Sequence, residues 1–269
     1  MARGMVRRVE PSEKTMLLAH VASSEKVSAS FQRVTITGES LEHFTALGFD
    51  QWFRLFLPQP GHDDMRLPRN IGLLGYARFL TIPKAERPAL RNYTVSAFRP
   101  ASVGSAAELD IDFALHGDDG FASRWAAHAR VGDRVAILDE GILFVPPAGT
   151  RRHLIVTDET GLPALAGIGR SLPPDAVGDA VLEVVDASDA AALTLPPGLV
   201  LHLLIRAPGV APGTLALAHL EAMTLETDGL YAFAIGESAL ATGARRHLVG
   251  ERRVPKGHVT FCGYWKAGH

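Results

Sequence analysis

The chain has 269 residues, a formal net charge of −2, 47% hydrophobic and 21% charged residues, and one cysteine. That length accommodates two domains of roughly 100 to 150 residues each, and the near-neutral charge gives no electrostatic case for nucleic acid. The single thiol, Cys262, excludes an intrachain disulfide, a cysteine-rich zinc site and a cysteine-ligated iron–sulfur cluster; within an alternating run it reads as a small buried side chain.

At the N-terminus Arg3, Arg7 and Arg8 precede the apolar stretch 16–22, but Glu10, Glu13 and His20 spoil the pattern of an export signal, and a cytoplasmic protein is expected. The first twenty or so residues are open between a helix and a loose tail. No apolar run approaches the roughly 18 residues of a membrane helix, so no membrane insertion is expected. Alternating strand-length runs follow at 28–37, 51–57, 92–98, 109–115, 134–138 and 142–145, separated by Pro58, Pro60, Gly61, Pro100, Gly120, Gly132 and Gly141. They predict an antiparallel β-barrel with one inserted helix at 122–129. Pro146, Pro147 and Gly149 then interrupt the periodicity, placing a domain boundary between 1–149 and 150–269. Beyond it, short apolar runs at 153–157, 180–185, 200–205, 230–235 and 259–263 alternate with helical stretches at 162–171, 215–223 and 238–251. That rhythm predicts an α/β domain built on a parallel sheet, resembling a nucleotide-binding domain.

Two segments carry chemistry. Along 91–96, Arg91 and Tyr93 share one strand face, offering a cation and a flat aromatic ring, while Thr94 falls on the other face unless the strand bulges. The second segment leaves strand 109–115 through His116, Gly117 and Gly120 and enters a helix at Ala122 and Ser123. Its first turn offers free N–H groups and the Ser123 hydroxyl, which suits a diphosphate. In the second half, ligands of a doubly wound sheet bind beyond the carboxyl ends of the strands. Those ends carry Asp158, Glu159 and Thr160, then Gly236 and Glu237, then Tyr264, Trp265 and Lys266. No G-x-G-x-x-G follows the first of these strands, and Asp158 with Glu159 would repel a pyrophosphate. The same acidic residues and Thr160 also suit an ordinary helix cap.

The order and spacing of these motifs, with Gly132-Asp133-Arg134-Val135 and 157–164, resemble the siderophore-interacting protein family, FAD-containing ferric-siderophore reductases of the ferredoxin-NADP reductase-like superfamily. Two positions depart from that family: Ser96 stands where it usually has Arg, and Phe121 where it usually has Pro. The departures imply weaker anion binding by the flavin strand and a less rigid helix entry.

The resemblance implies an FAD site. Arg91 would neutralise the diphosphate with its fork of donors; Tyr93 would pack on the isoalloxazine or ribityl portion, and Thr94 or its N–H would bond near the flavin N5 edge. Val95, His116, Ala122 and Ser123 complete the cofactor set, with Trp265 over the outer flavin face. Tyr264, Lys266 and Arg246 are assigned to an anionic ferric chelate, and Asp158, Glu159, Thr160, Gly236 and Glu237 to a nicotinamide cleft. The implied reaction takes electrons from NADH or NADPH, or from a ferredoxin-like protein, and delivers them to the Fe(III) siderophore, which releases Fe(II). No acid–base pair and no resident metal are required. A flavin reductase or diaphorase of the same fold, and a non-catalytic siderophore- or flavin-binding protein, are the alternatives.

Overall fold

The computed structural model describes residues 7–61, 65–67, 73–115 and 120–268. It divides into two compact units, the described parts of 10–47 and 51–141 forming one, and those of 1–9, 48–50 and 142–269 the other.

In the first unit seven antiparallel strands form one sheet: β1 (Met16–Lys26), β2 (Phe31–Thr37), β3 (Trp52–Leu57), β4 (Ala89–Thr94), β5 (Ala97–Arg99), β6 (Glu108–Ala114) and β7 (Arg134–Gly141). Their order is β4-β3-β7-β1-β2-β6-β5. Inward positions recur every second residue, so Leu17, Ala19 and Val21 meet Val34, Ile36, Phe53, Leu55, Leu109, Ile111 and Phe113 in one core. Full burial of each large apolar side chain there contributes about 1.5–3 kcal/mol. Two helices accompany the sheet, α1 (Leu73–Leu80) and α2 (Phe121–His128).

Several expectations are corrected. The segment left open near the N-terminus holds the longest strand of the sheet, β1; its period-two signal is masked because the outward Leu18 is apolar and 55% exposed. The run 92–98 is two strands, since β4 and β5 lie at opposite edges of the sheet and the chain crosses between them at Val95 and Ser96. Residues 142–145 form no strand; the N–H groups of Leu143 and Phe144 donate to the Asp50 carboxylate, and only Ile142 makes an isolated bridge, to Val9. The first half has a second helix, α1, which no cap signalled, with Phe79 edge-on to Phe56 at 5.8 Å.

In the second unit the parallel strands β8 (Arg152–Thr157), β9 (Val177–Val184), β10 (Gly198–Ile205), β11 (Leu230–Glu237) and β12 (Val259–Trp265) are ordered β10-β9-β8-β11-β12. The helices α3 (Leu162–Ser171), α4 (Thr214–Ala222) and α5 (Ser238–Gly250) connect them. Ala216 and Leu220 of α4 and Leu240, Ala244 and Leu248 of α5 cover Leu154, Val156, Val181, Ala232 and Ala234. The first strand, β8, lies between β9 and β11, so the strand order reverses there and the topological switch point opens between β8 and β11. Among the described residues no helix is long and apolar enough to cross a membrane.

Candidate functional site

Arg91 lies on β4, an edge strand, opposite Leu55 of β3, with Tyr93 opposite Phe53. Both partners are core residues, so Arg91 and Tyr93 face the barrel interior side, and Arg91 is nevertheless exposed because the edge is open there. Its guanidinium donates to the Leu90 carbonyl at 2.7 Å. Three other arginines of the sheet are compensated: Arg33 by Asp112, Arg54 by Glu140, Arg99 by Glu108 and Asp110. Among the described residues no carboxylate pairs with Arg91. Tyr93 is half-buried, its ring 4.4 Å from Phe113 of β6, and Phe113 lies 5.8 Å from Trp125 of α2. Burial raises the Tyr93 phenol well above its ordinary pKa, so it stays neutral.

The chain enters α2 at Gly120, and no side chain caps that end, leaving its first N–H groups to an external acceptor. The Ser123 hydroxyl donates to the Ala114 carbonyl at 3.1 Å, so its hydrogen is engaged within the protein. Ala122 is buried and Phe121 packs against the core, filling the helix entry where the family carries proline. Thr94 is buried, and the N–H of Val95 donates to the Gln51 carbonyl at 2.8 Å. His116 lies outside the described residues. An uncompensated cation, a neutral aromatic on the same strand face and an uncapped helix start fit the diphosphate and ring system of FAD.

In the second unit the carboxyl ends of β8, β11 and β12 meet at Asp158. Its carboxylate accepts from Thr160 N–H at 2.9 Å, Thr160 Oγ1 at 2.5 Å, Glu237 N–H at 2.6 Å and the Trp265 indole at 3.2 Å. Burial pushes its pKa up to about 6. Gly236 has φ 108°, and a Cβ there would come within 2.7 Å of Asp158 Oδ1, so only glycine permits this approach. Glu237 caps α5 by accepting from the N–H groups of Ala239 and Leu240, and also takes the Ala267 N–H. Glu159 is buried and held by Arg206 at 2.5 Å; the same guanidinium binds Glu183 at 2.8 Å, which in turn accepts from the N–H groups of Gly213 and Ala216 at the start of α4. The repulsion expected between these acids and a pyrophosphate is therefore absorbed: Asp158 and Glu159 are turned inward onto protein donors.

Tyr264 is half-buried near the end of β12, and Lys266, just beyond the strand, is exposed. Arg246 is exposed on α5, eight residues past its start at Ser238, which is about 12 Å along the helix axis, so it does not join the strand-end group. Its neighbour Arg245 stacks over Phe261 at 4.9 Å, and Arg252 donates to the carbonyls of Glu221 and Met223, so these two hold structure. Cys262 is half-buried, its thiol pKa raised by burial. Arg206 and Glu183 were missed in the sequence, although an acidic residue inside the apolar run Val181-Leu182-Glu183-Val184 signals a buried partner. Among the described residues no cluster of three or more His, Cys, Asp or Glu is placed to hold a metal ion.

An antiparallel barrel followed in the chain by a five-stranded parallel domain is the ferredoxin-NADP reductase-like fold; a solved Neisseria gonorrhoeae ferredoxin NADP+ reductase shares it at TM-score 0.62, 14% identity, over 94% of this chain and 100% of that one. Residues 20–142 match the siderophore-interacting FAD-binding domain, and residues 150–268 match the siderophore-interacting protein family. The chain belongs to the siderophore-interacting protein family. It is 31% identical to an NADPH-dependent ferric-chelate reductase of Escherichia coli, over 90% of each chain. It is 30% identical to the ferric vibriobactin reductase ViuB of Vibrio cholerae, over 90% of this chain and 86% of that protein. The crystal structure of the siderophore-interacting protein SipS from Aeromonas hydrophila superposes with TM-score 0.77 at 30% identity, covering 95% of this chain and 93% of that one.

Proposed function

We propose that this protein is a cytoplasmic, FAD-dependent ferric-siderophore reductase. It takes electrons from NADH or NADPH, or from a ferredoxin-like protein, and delivers them to Fe(III) held in a siderophore. Hard oxygen donors bind Fe(II) less tightly than Fe(III), so the reduced iron leaves. The observation that carries this reading is Arg91, exposed and without a carboxylate partner among the described residues, on one strand face with Tyr93 inside a matched FAD-binding domain. The names of the Escherichia coli and Vibrio cholerae relatives support the substrate class.

Bound FAD supplies acceptance of a hydride and release of single electrons; the side chains bind, orient and exclude water. Arg91 would neutralise the diphosphate, to which the uncapped start of α2 beside Ala122 and Ser123 would offer further N–H donors. Tyr93 packs on the ring or ribityl portion, with Thr94 and Val95 lining the same stretch and His116 completing the set. Trp265 is assigned to the flavin on the family resemblance. In the second unit Asp158 and Glu237 hold the strand ends, so the surface offered to a nicotinamide consists of Thr160 and the backbone around Gly236, with Glu159 supporting from beneath. Lys266, with Tyr264, attracts an anionic chelate, and Arg246 contributes charge from farther off. Purification of wild type and Arg91→Ala tests the reading: wild type retains FAD and the variant loses most of it, whereas full FAD occupancy in both removes Arg91 from the site.

A further inference from the structure

The strand that carries Arg91 and Tyr93 ends at Thr94, and within three residues the chain has joined the opposite edge of the sheet as β5. Ser96 makes that crossing, its N–H donating to the Asp110 carbonyl of β6 at 3.0 Å. Its buried hydroxyl donates to Asp112 Oδ2 at 2.5 Å. Arg33 of β2 stands directly across from Asp112 in the strand register and grips the same carboxylate with two N–H groups, at 2.7 and 2.8 Å. Its guanidinium also reaches Ser96 Oγ at 3.3 Å. The Asp112 side chain is only 13% exposed, so without Arg33 a largely desolvated carboxylate would lie against the crossing segment. Bidentate pairing of this kind fixes geometry as well as charge. Ser96 is thus turned toward Asp112, and position 96 closes the barrel instead of meeting an anion.

We propose that Arg33 is a positioning residue for FAD: with Asp112 and Ser96 it forms a clamp that fixes the exit of β4 and thereby the placement of Arg91 and Tyr93. Arg33 touches no cofactor itself. The inference rests on the FAD site described above and extends it to three residues behind that site, of which β2, β6 and the crossing segment each supply one.

The test is titration of apoprotein with FAD, read by quenching of flavin fluorescence, for wild type, Arg33→Ala, Arg33→Lys, Ser96→Arg and the double variant Arg33→Ala/Ser96→Arg. Loss of pre-organisation weakens FAD binding by about tenfold or more in Arg33→Ala. The double variant returns a guanidinium to Asp112 from the crossing segment and recovers most of the affinity; because an arginine at position 96 can also meet the FAD anion directly, the gain is read against Ser96→Arg alone, and a recovery no larger than the gain Ser96→Arg gives over wild type overturns the clamp. Should Arg33→Ala fail to fold, Arg33→Lys with and without Ser96→Arg gives the same comparison. Wild-type affinity in Arg33→Ala, or no recovery in the double variant, overturns the proposal and leaves the FAD site standing. Failure of wild type to bind FAD overturns both.

Discussion

The Trp265 indole N–H donates to the Asp158 carboxylate at 3.2 Å, tying the last strand of the parallel sheet to the end of its first. The same carboxylate holds Thr160 and the Glu237 N–H, so one buried acid sets the positions of three strand ends where a nicotinamide is proposed to bind. Replacing it by Asn turns an amide group toward those donors, which costs about 1–3 kcal/mol. Thermal unfolding of Asp158→Asn is expected to show that loss at pH 7.

The pH dependence of Asp158 has a definite sign. Burial raises its pKa to about 6, so the folded protein holds this proton more tightly than the unfolded chain, where the value is about 3.9. The group's contribution to stability therefore falls as pH rises from about 4 to about 6, by an amount on the order of 2 kcal/mol. Asp50, raised to about 6 by burial, acts in the same direction. The gap in melting temperature between wild type and Asp158→Asn is expected to be wider at pH 5 than at pH 7; an equal gap at both would contradict the assignment.

Gly236→Ala introduces a Cβ within 2.7 Å of Asp158 Oδ1 at a φ of 108°. Backbone strain and the displaced carboxylate together are expected to destabilise by roughly 2 kcal/mol or more. Denaturant unfolding measures this, and a change below about 0.5 kcal/mol, the ordinary surface value, would show that the strand end can relax.

Arg206→Ala leaves Glu159 and Glu183 buried together without their shared cation. Removal of one partner from a buried ionic group costs about 3–5 kcal/mol. The exposed pair Arg151–Asp228 serves as a control, since Arg151→Ala is expected to cost less than about 1 kcal/mol. Equal effects of the two substitutions would contradict the structural weight given to Arg206.

Lys266→Ala is expected to raise KM for an anionic ferric chelate several-fold while changing kcat less, with the difference shrinking as salt screens the charge. Arg246→Ala, on the helix well past its start, is expected to have the smaller effect. Steady-state kinetics at low and high ionic strength separate the two.

The parallel half was legible because buried strands such as those at 154–156 and 230–235 are unbroken apolar runs between helical stretches, and α3 begins with Pro163 in its first turn. The barrel was harder to read. The outward Leu18 disguised β1, and the break at Val95 and Ser96 depends on which strands lie beside which, which local alternation does not encode. Arg91 and Tyr93 were found as a pattern on one strand face. Arg33 escaped notice because its partner Asp112 is 79 residues away in sequence, and the inward turn of Asp158 and Glu159 was hidden for the same reason: Trp265 and Arg206 come from distant parts of the chain.

The central claim is tested most directly by the visible spectrum of the purified protein, recorded anaerobically before and after addition of NADPH or NADH and then of a ferric siderophore. Bound FAD that is bleached by a nicotinamide and recovers its colour as Fe(II) appears is the predicted result. A protein that carries FAD but does not pass electrons to the ferric siderophore, or one that binds no flavin, would contradict the account.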